Sequence, residues 1–251
     1  MSGPLIEVLP LWIAQTNAYL IAPNGPGGEC VLIDAPPEPG VLIDRIRQHG
    51  LKLVALLSTH GHIDHVGGVG DVVRAQPHPV PVHIHSHDRH MLEDPRATSG
   101  SFGRMLDASI DTRPPEIIED LDDGQVVRGS GMTFRCLHTP GHTMGSVCLA
   151  LEMDGAPPIL LSGDHLFAGS IGRTDLPGGS FEMLMQSMSE KILPLSDDMA
   201  VLPGHGPTTT IGKERATNPF IIGLLDGDFD TDPTGPGSLE SGSEGPPRTW
   251  G

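Results

Sequence analysis

Short runs rich in Val, Ile and Leu recur early in the chain, at Leu5 to Leu9, Ala18 to Ala22, Cys30 to Ile33 and Leu53 to Leu57, each bounded by Gly, Pro, Asn or Asp. Runs of that length and punctuation predict β-strands. Between the third and fourth, VLIDRIRQHG puts Val41, Leu42, Ile46 and His49 near one helical face and ends on Gly50, a residue suited to the position just past a helix. A strand-helix-strand unit follows. A second helix is predicted from near Gly68 through Val72 and Val73 to Pro77, then a strand at Val80 to Ile84 and a short helix at Ser86 to Glu93.

From Asp94 to Pro115 the periodicity disappears, which predicts a mobile loop facing substrate, with Phe102, Met105 and Leu106 as candidates to line an acyl pocket or to pack the loop down. Gln125 to Arg128 and Met132 to Leu137 straddle Gly129-Ser130-Gly131, while Val147 to Glu152 and Ile159 to Leu161 straddle Asp154-Gly155, so two hairpins are expected. A helix at Phe181 to Ile192, a strand at Ala200 to Leu202 and a short helix near Gly212 to Thr217 complete the ordered part. After Leu225 the chain is dominated by Gly, Pro, Ser and acids, too polar to offset its ordering entropy. The expected organisation is one α/β domain over residues 1–225 and a disordered acidic tail over 226–251.

Histidine changes the picture. LLSTHGHIDHVGG carries His60, His62, Asp64 and His65 directly after a buried strand. Imidazole nitrogen and carboxylate oxygen together suit Zn²⁺, and also Fe or Mn, and the i, i+2 spacing of His60 and His62 differs from the helical i, i+4 pair of H-E-x-x-H. Three more strands end abruptly in Gly and one ligand-type residue: LHTPGHT gives His142, LLSGDHLF gives Asp164 and VLPGHGP gives His205. Strand ends converge at one edge of a sandwich, so these residues are candidates for a two-metal hydrolytic centre.

Taken in order, THGHIDH, TPGHT, SGDHLF and PGHG resemble the metallo-β-lactamase superfamily of αββα sandwich hydrolases over roughly residues 5 to 220. The resemblance implies one metal on His60, His62 and His142, a second on Asp64, His65 and His205, and Asp164 between them. FAGSIGRTDLPGG and PGHGPTTTIGKERATNPF are similar to the compact glyoxalase II-like thioester hydrolases, which implies hydrolysis of a hydroxyacyl thioester by a hydroxide held by two divalent ions, most simply Zn²⁺. Asp64 and Asp164 are the expected catalytic residues, orienting that hydroxide. Full-length glutathione-specific enzymes carry a helical C-terminal domain that this chain replaces with its acidic tail, and His165 stands where a small or apolar residue is more usual.

A thiol of pKa about 8.5 leaves as thiolate without much protonation, so a thioester suits a site poor in general acids. The runner-up is a persulfide dioxygenase of the same fold, with a single iron on His60, His142 and Asp164, which GRTD also resembles. Lactonases of this fold use a tyrosine near the leaving group, and the sole tyrosine, Tyr19, lies in a predicted strand. Class B β-lactamases, whose corresponding motif lacks an equivalent of Asp64, are set aside.

Composition narrows the partners. The chain has 251 residues and 26.5 kDa, with 15 Lys plus Arg against 32 Asp plus Glu, a net charge of −17. Lysine occurs only at Lys52, Lys191 and Lys213, so neither nucleic acid nor anionic membrane is an expected partner. A small-molecule thioester is, and the sequence says nothing of oligomeric state. Cys30, Cys136 and Cys148 show no C-x-x-C spacing, and the N-terminal stretch has no basic residue before Arg45 and no long apolar run. A cytoplasmic protein without a signal peptide is expected.

Among the remaining polar residues, Arg173 and Asp175 are candidates for an ion pair beside the metals or for contact with a substrate carboxylate. His138 and His165 are candidates for supporting the ligands or packing beside them. His83, His85, His87 and His90 read as polar residues at a strand-to-helix junction rather than a second metal site, for want of an accompanying carboxylate.

Overall fold

The structure is a computed structural model that describes residues 3–153, 155–227 and 229. Its first half is built from strands β1 (Leu5–Leu11), β2 (Thr16–Ala22), β3 (Glu29–Ile33), β4 (Lys52–Leu57), β5 (Val82–Ile84) and β6 (Ile118–Asp120), which form one sheet in that order. The β1–β2 and β2–β3 pairs are antiparallel; from β3 onward pairing is parallel, so each return needs a crossover. These crossovers carry α1 (Pro39–Gln48), α2 (Ile63–Val66), α3 (Val69–Arg74), α4 (Arg89–Glu93), α5 (Pro95–Thr98) and α6 (Gly100–Gly103).

The second half makes the other sheet from β7 (Val126–Gly129), β8 (Met132–His138), β9 (Val147–Met153), β10 (Ile159–Gly163), β13 (Ala200–Pro203) and β14 (Thr209–Thr210), in the order β14-β13-β10-β9-β8-β7. Between β10 and β13 lie the small hairpin β11 (Leu166–Phe167) and β12 (Ser170–Ile171), then α7 (Phe181–Ser187), which continues into a π-helical turn over Met188–Ile192. The helices α8 (Ile211–Thr217) and α9 (Pro219–Leu225) close the described fold.

Both sheets are buried on both faces, and strand alternation sorts their side chains into layers. Leu20, Leu32 and Leu56 face outward under Leu42, Ile46, Val69 and Val72 of α1 and α3. Their neighbours Ile21, Ile33 and Leu57 face inward against Phe134, Leu149, Leu151 and Leu161 of the second sheet. On the far side, Cys148, Leu160 and Val201 lie under Leu184, Met185, Met188, Ile211 and Ile221. Three apolar layers separate four layers of structure, the αββα sandwich expected from the sequence.

Several details differ from the sequence expectations. In α1, Val41 is 41% exposed because it sits about 140° around the helix from Ile46; Leu42 and Ile46 are buried, and Gly50 takes φ +61° just past the helix end. The segment expected as a mobile loop after Asp94 folds on itself: α5 and α6 form, and the Arg96 guanidinium donates to the carbonyls of Leu106, Asp107 and Ile110. Leu106 is buried and packs this segment down, whereas Met105 is exposed. Most of the expected acidic tail lies outside the described residues, but Phe229 packs edge-on against Phe181, so the order extends past Leu225. No helix among the described residues is long and apolar enough to cross a membrane.

Candidate metal centre

All seven ligand candidates lie just past the C-terminal ends of strands, at one edge of the sandwich. His60 and His62 follow β4 in an extended stretch, and Asp64 and His65 sit on the short helix α2 that begins at Ile63. His142 follows β8, Asp164 follows β10 and His205 follows β13. The start of β2 closes the edge: Thr16 bridges to His205, and the Asn17 amide donates to the Gly204 carbonyl at 2.7 Å. The Tyr19 hydroxyl and the Asn17 side chain both donate to the Pro203 carbonyl, so β2 clamps the turn that presents His205. Gly204 is required there, since a Cβ would stand 2.2 Å from Asp164 Oδ1.

Counting protons shows what the edge is built to hold. The Thr59 hydroxyl donates to Asp34 Oδ2, so at 3.2 Å it accepts from His60 Nδ1 and leaves His60 Nε2 without a proton. His142 Nδ1 donates to the Arg173 carbonyl at 2.7 Å, His65 Nδ1 to Asp34 Oδ2 at 2.8 Å and His205 Nδ1 to the Ala14 carbonyl at 3.1 Å. In the neutral rings, the inward Nε2 atoms therefore carry lone pairs. His62 Nδ1 stands 3.1 Å from His60 Nε2 and 2.8 Å from His142 Nε2, and one imidazole proton cannot serve both.

The second group has the same character. His65 Nε2 faces Asp164 Oδ1 at 3.3 Å and Asp64 Oδ2 at 3.6 Å, with no hydrogen-bond partner for His65 Nε2 or Asp164 Oδ1. His205 Nε2 lies 3.2 Å from Asp64 Oδ2 and 3.4 Å from Asp164 Oδ2, and the latter oxygen is also 3.5 Å from His142 Nε2. Asp164 thus touches both groups. Lone pairs opposed at these distances in a buried site need positive charge between them, supplied by protons or by metal cations.

The titration tendencies follow from that arrangement. Burial holds His60 well below the ordinary histidine range and, with the neighbouring His142, His62 down to about 3. Burial alone would raise Asp164, but His65 and His205 outweigh it and hold the carboxyl well below the usual range; Asp64 is likewise held down to about 2. Burial opposes a charge on His205, yet Asp164 and Asp64 push it up to about 9, and His65 is pushed upward by Asp164, Asp64 and Asp34. The donor set, imidazole nitrogen with carboxylate oxygen and outer N–H groups tied to carbonyls or carboxylates, fits transition-metal ions.

Two buried carboxylates that the sequence analysis missed position these ligands. Asp34, at φ +57°, accepts from the Thr59 amide and hydroxyl and from His65, linking both ligand groups. Asp88, 1% exposed at the end of a 3₁₀ turn (Ser86–Asp88), accepts from Gly61 N–H at 2.9 Å, Thr143 Oγ at 2.6 Å and Gly145 N–H at 2.8 Å. It ties the loop of His60 and His62 to the loop of His142. Their sequence signal, an acid at a strand end or helix start, is shared with ordinary turn residues.

The other candidates lie around this core. Arg173 contributes its carbonyl to His142, while its guanidinium forms two 2.7 Å bonds with Asp175 and holds that carboxyl down to about 2. His165 is buried, kept neutral by burial with a pKa down to about 3, and neither ring nitrogen has a hydrogen-bond partner. His138 stacks on His85 at 3.9 Å and donates to the Met144 carbonyl instead of touching the seven ligand candidates. Phe167 lies edge-on to His205 at 6.0 Å.

Comparison with known proteins places the chain in a family. The chain is 36% identical over 219 residues to the hydroxyacylglutathione hydrolase GloC of Haemophilus influenzae, covering 86% of this chain and 97% of that protein. Among solved structures it resembles the B3 metallo-β-lactamase BLEG-1 (38% identity, TM-score 0.76, 87% of this chain and 100% of that one). It also resembles TTHA1623 in a di-iron-bound form (39% identity, TM-score 0.70, 85% and 99%). The family model of the metallo-β-lactamase superfamily matches residues 12–205, and the chain belongs to that superfamily.

Proposed function

We propose that the protein is a hydrolase of hydroxyacyl thioesters that works with two divalent metal ions, zinc being the first choice. His60, His62 and His142 would hold one ion, Asp64, His65 and His205 the other, and Asp164 would contact both. The observation that carries this reading is the convergence of five histidine rings and two carboxylates on one sheet edge, with the outer N–H of His60, His65, His142 and His205 already spent on the scaffold. Ions held there would supply Lewis acidity toward a carbonyl oxygen and lower the pKa of a water from about 15.7 toward 7.

The chain's own residues supply the rest. Asp64 Oδ2, which accepts from Thr16 Oγ at 3.0 Å, is fixed to orient a water for attack, and Asp164 is fixed by both ligand groups. Ile13, 63% exposed on the turn whose Ala14 carbonyl holds His205, and Phe167 present apolar surface to an acyl or carrier chain. Tyr19, the sole tyrosine, is buried with its hydroxyl committed to Pro203, so it is not available to protonate a leaving group. A thiolate needs no such acid. A cytoplasmic setting belongs to the proposal, since all three cysteines are buried free thiols.

The complete second ligand group favours this reading over a persulfide dioxygenase, which would use His60, His142 and Asp164 alone. Similarity to BLEG-1 brings β-lactam hydrolysis back as a second reading, because Asp64 by itself does not set it aside. Steady-state assays with S-lactoyl thioesters of several thiols, a chromogenic cephalosporin and a persulfide test the three together. Turnover of a thioester with kcat/KM far above that for the cephalosporin is expected; cephalosporin hydrolysis alone, or oxygen uptake with the persulfide, would overturn the proposal.

A further inference from the structure

Beyond the candidate centre, His85, His87 and His138 bring one ring nitrogen each to within 4.8 Å of one another. From sequence, the His83-to-His90 run reads as polar residues at a strand-to-helix junction, for want of an accompanying carboxylate. The fold supplies a third imidazole from elsewhere: His85 directly follows β5, His87 lies in the 3₁₀ turn Ser86–Asp88, and His138 ends β8 on the other sheet. We propose that these three side chains form a separate binding site for one first-row transition-metal ion, such as zinc or copper(II), at the rim of the sandwich.

Hydrogen bonding prepares two of the rings. His138 Nε2 donates to the Met144 carbonyl at 2.9 Å and His87 Nδ1 to the same oxygen at 3.3 Å. A carbonyl oxygen accepts only, so both bonds place the ring proton on the bonded nitrogen and leave a lone pair on His138 Nδ1 and on His87 Nε2, the atoms these rings would turn toward an ion. Donation of the outer N–H to a backbone carbonyl is how metal-binding histidines are usually oriented. His85 is buried, and its Nδ1 takes only a long 3.2 Å bond from the His87 amide, a contact that metal binding trades away.

The rings close onto an ion by small side-chain rotations. Tetrahedral zinc with Zn–N near 2.05 Å sets its ligand nitrogens about 3.4 Å apart. One nitrogen of each ring lies within 4.8 Å of the others, so closing on an ion takes an approach of at most about 1.4 Å for those atoms together with turning of the rings, and the near-parallel His85–His138 stack, with an 11° interplanar angle, must open. His87 is exposed and His138 half-buried, so both have room to turn. The Asp88 oxygens are spent on Gly61, Thr143 and Gly145 and so offer no ligand atom, but Asp122 and Asp88 both add negative potential at His85. Three imidazoles with no thiolate select a zinc- or copper-type ion over magnesium or calcium.

Zinc titration of the metal-loaded full chain tests the site, with uptake counted above the resting metal content so that the result is independent of how many ions the main centre holds. The wild type should take up one additional equivalent, and His87→Ala and His138→Ala should each abolish it. His87→Ala, at an exposed position, should keep the wild-type melting temperature before zinc is added and wild-type turnover. Absence of any uptake above the resting content in the wild type, or uptake by either variant equal to that of the wild type, would overturn the proposal.

Discussion

Asp88 offers a stringent test of how the scaffold sets the ligands, because it touches no ligand side chain. Asp88→Ala removes the acceptor for the buried Gly61 and Gly145 amides; Thr143 keeps an alternative in Ser146 Oγ at 2.7 Å. Hydrogen bonds to a charged group are worth about 1.5–3 kcal/mol each, so the two amides together lose about 3–6 kcal/mol. That is a large part of a typical stability of about 5–15 kcal/mol. At about 2–4 °C per kcal/mol for a chain of this size, the melting temperature should fall by about 6–24 °C. Asp88→Asn keeps the shape and one oxygen, and should cost about 1–3 kcal/mol for the single N–H left facing an amide donor.

The distinctive outcome concerns metal rather than stability. Gly61 lies between His60 and His62, and Thr143 follows His142, whereas the hydrogen bonds and ion pairs of Asp64, His65 and His205 go to other residues than Asp88. Asp88→Asn should therefore weaken the metal on His60, His62 and His142 at least tenfold and spare the other, as read by competition with a coloured chelator. If Asp88→Asn melts lower but binds both ions as the wild type does, Asp88 is a structural residue only. If Asp88→Ala changes neither property, the hydrogen-bond accounting is wrong.

Other expectations are as direct. Gly204→Ala would set a Cβ 2.2 Å from Asp164 Oδ1, so turnover should fall at least a hundredfold and metal content should drop; near-normal kinetics would mean that the β13 turn can shift freely. In the metal-free chain His205 holds a proton up to about 9, so metal loading at pH 7.5 should release protons, and the release should shrink as pH rises through 9. A loading reaction without proton release at pH 7.5 would contradict the paired charges. Ending the chain after Phe229 should leave turnover and melting temperature unchanged, whereas ending it after Leu225 removes the Phe181 contact and should lower the melting temperature slightly. A large activity loss in the first truncation would assign the acidic tail a role.

The sandwich and the seven ligand candidates were legible because both rest on strong local signals. Apolar runs bounded by turn residues mark strands, and a strand that stops at Gly and one His or Asp marks the sheet edge. What escaped has a common cause: it depends on contacts between distant segments. The strand β6 has three residues, two of them exposed, and is defined by its pairing with β5. The helix α9 begins at Asn218-Pro219, a legible start signal, but its apolar FIIGLL run lacks the polar face that would mark an amphipathic helix. Asp34 and Asp88 look like turn residues until the fold brings Thr59, His65, Gly61 and Thr143 to them. His138, a candidate from sequence for supporting the ligands or packing beside them, is delivered by β8 to His85 instead.

Metal content of the purified chain, measured by mass spectrometry after growth without metal supplementation, tests the central claim most directly. The account predicts close to two transition-metal ions per chain in the main centre, with at most a weakly held further ion that brief chelator treatment removes. In His142→Ala the tightly held content should fall to about one, together with loss of thioester turnover. A single tightly held iron in the wild type, unchanged when His205 or Asp64 is replaced by Ala, would contradict it.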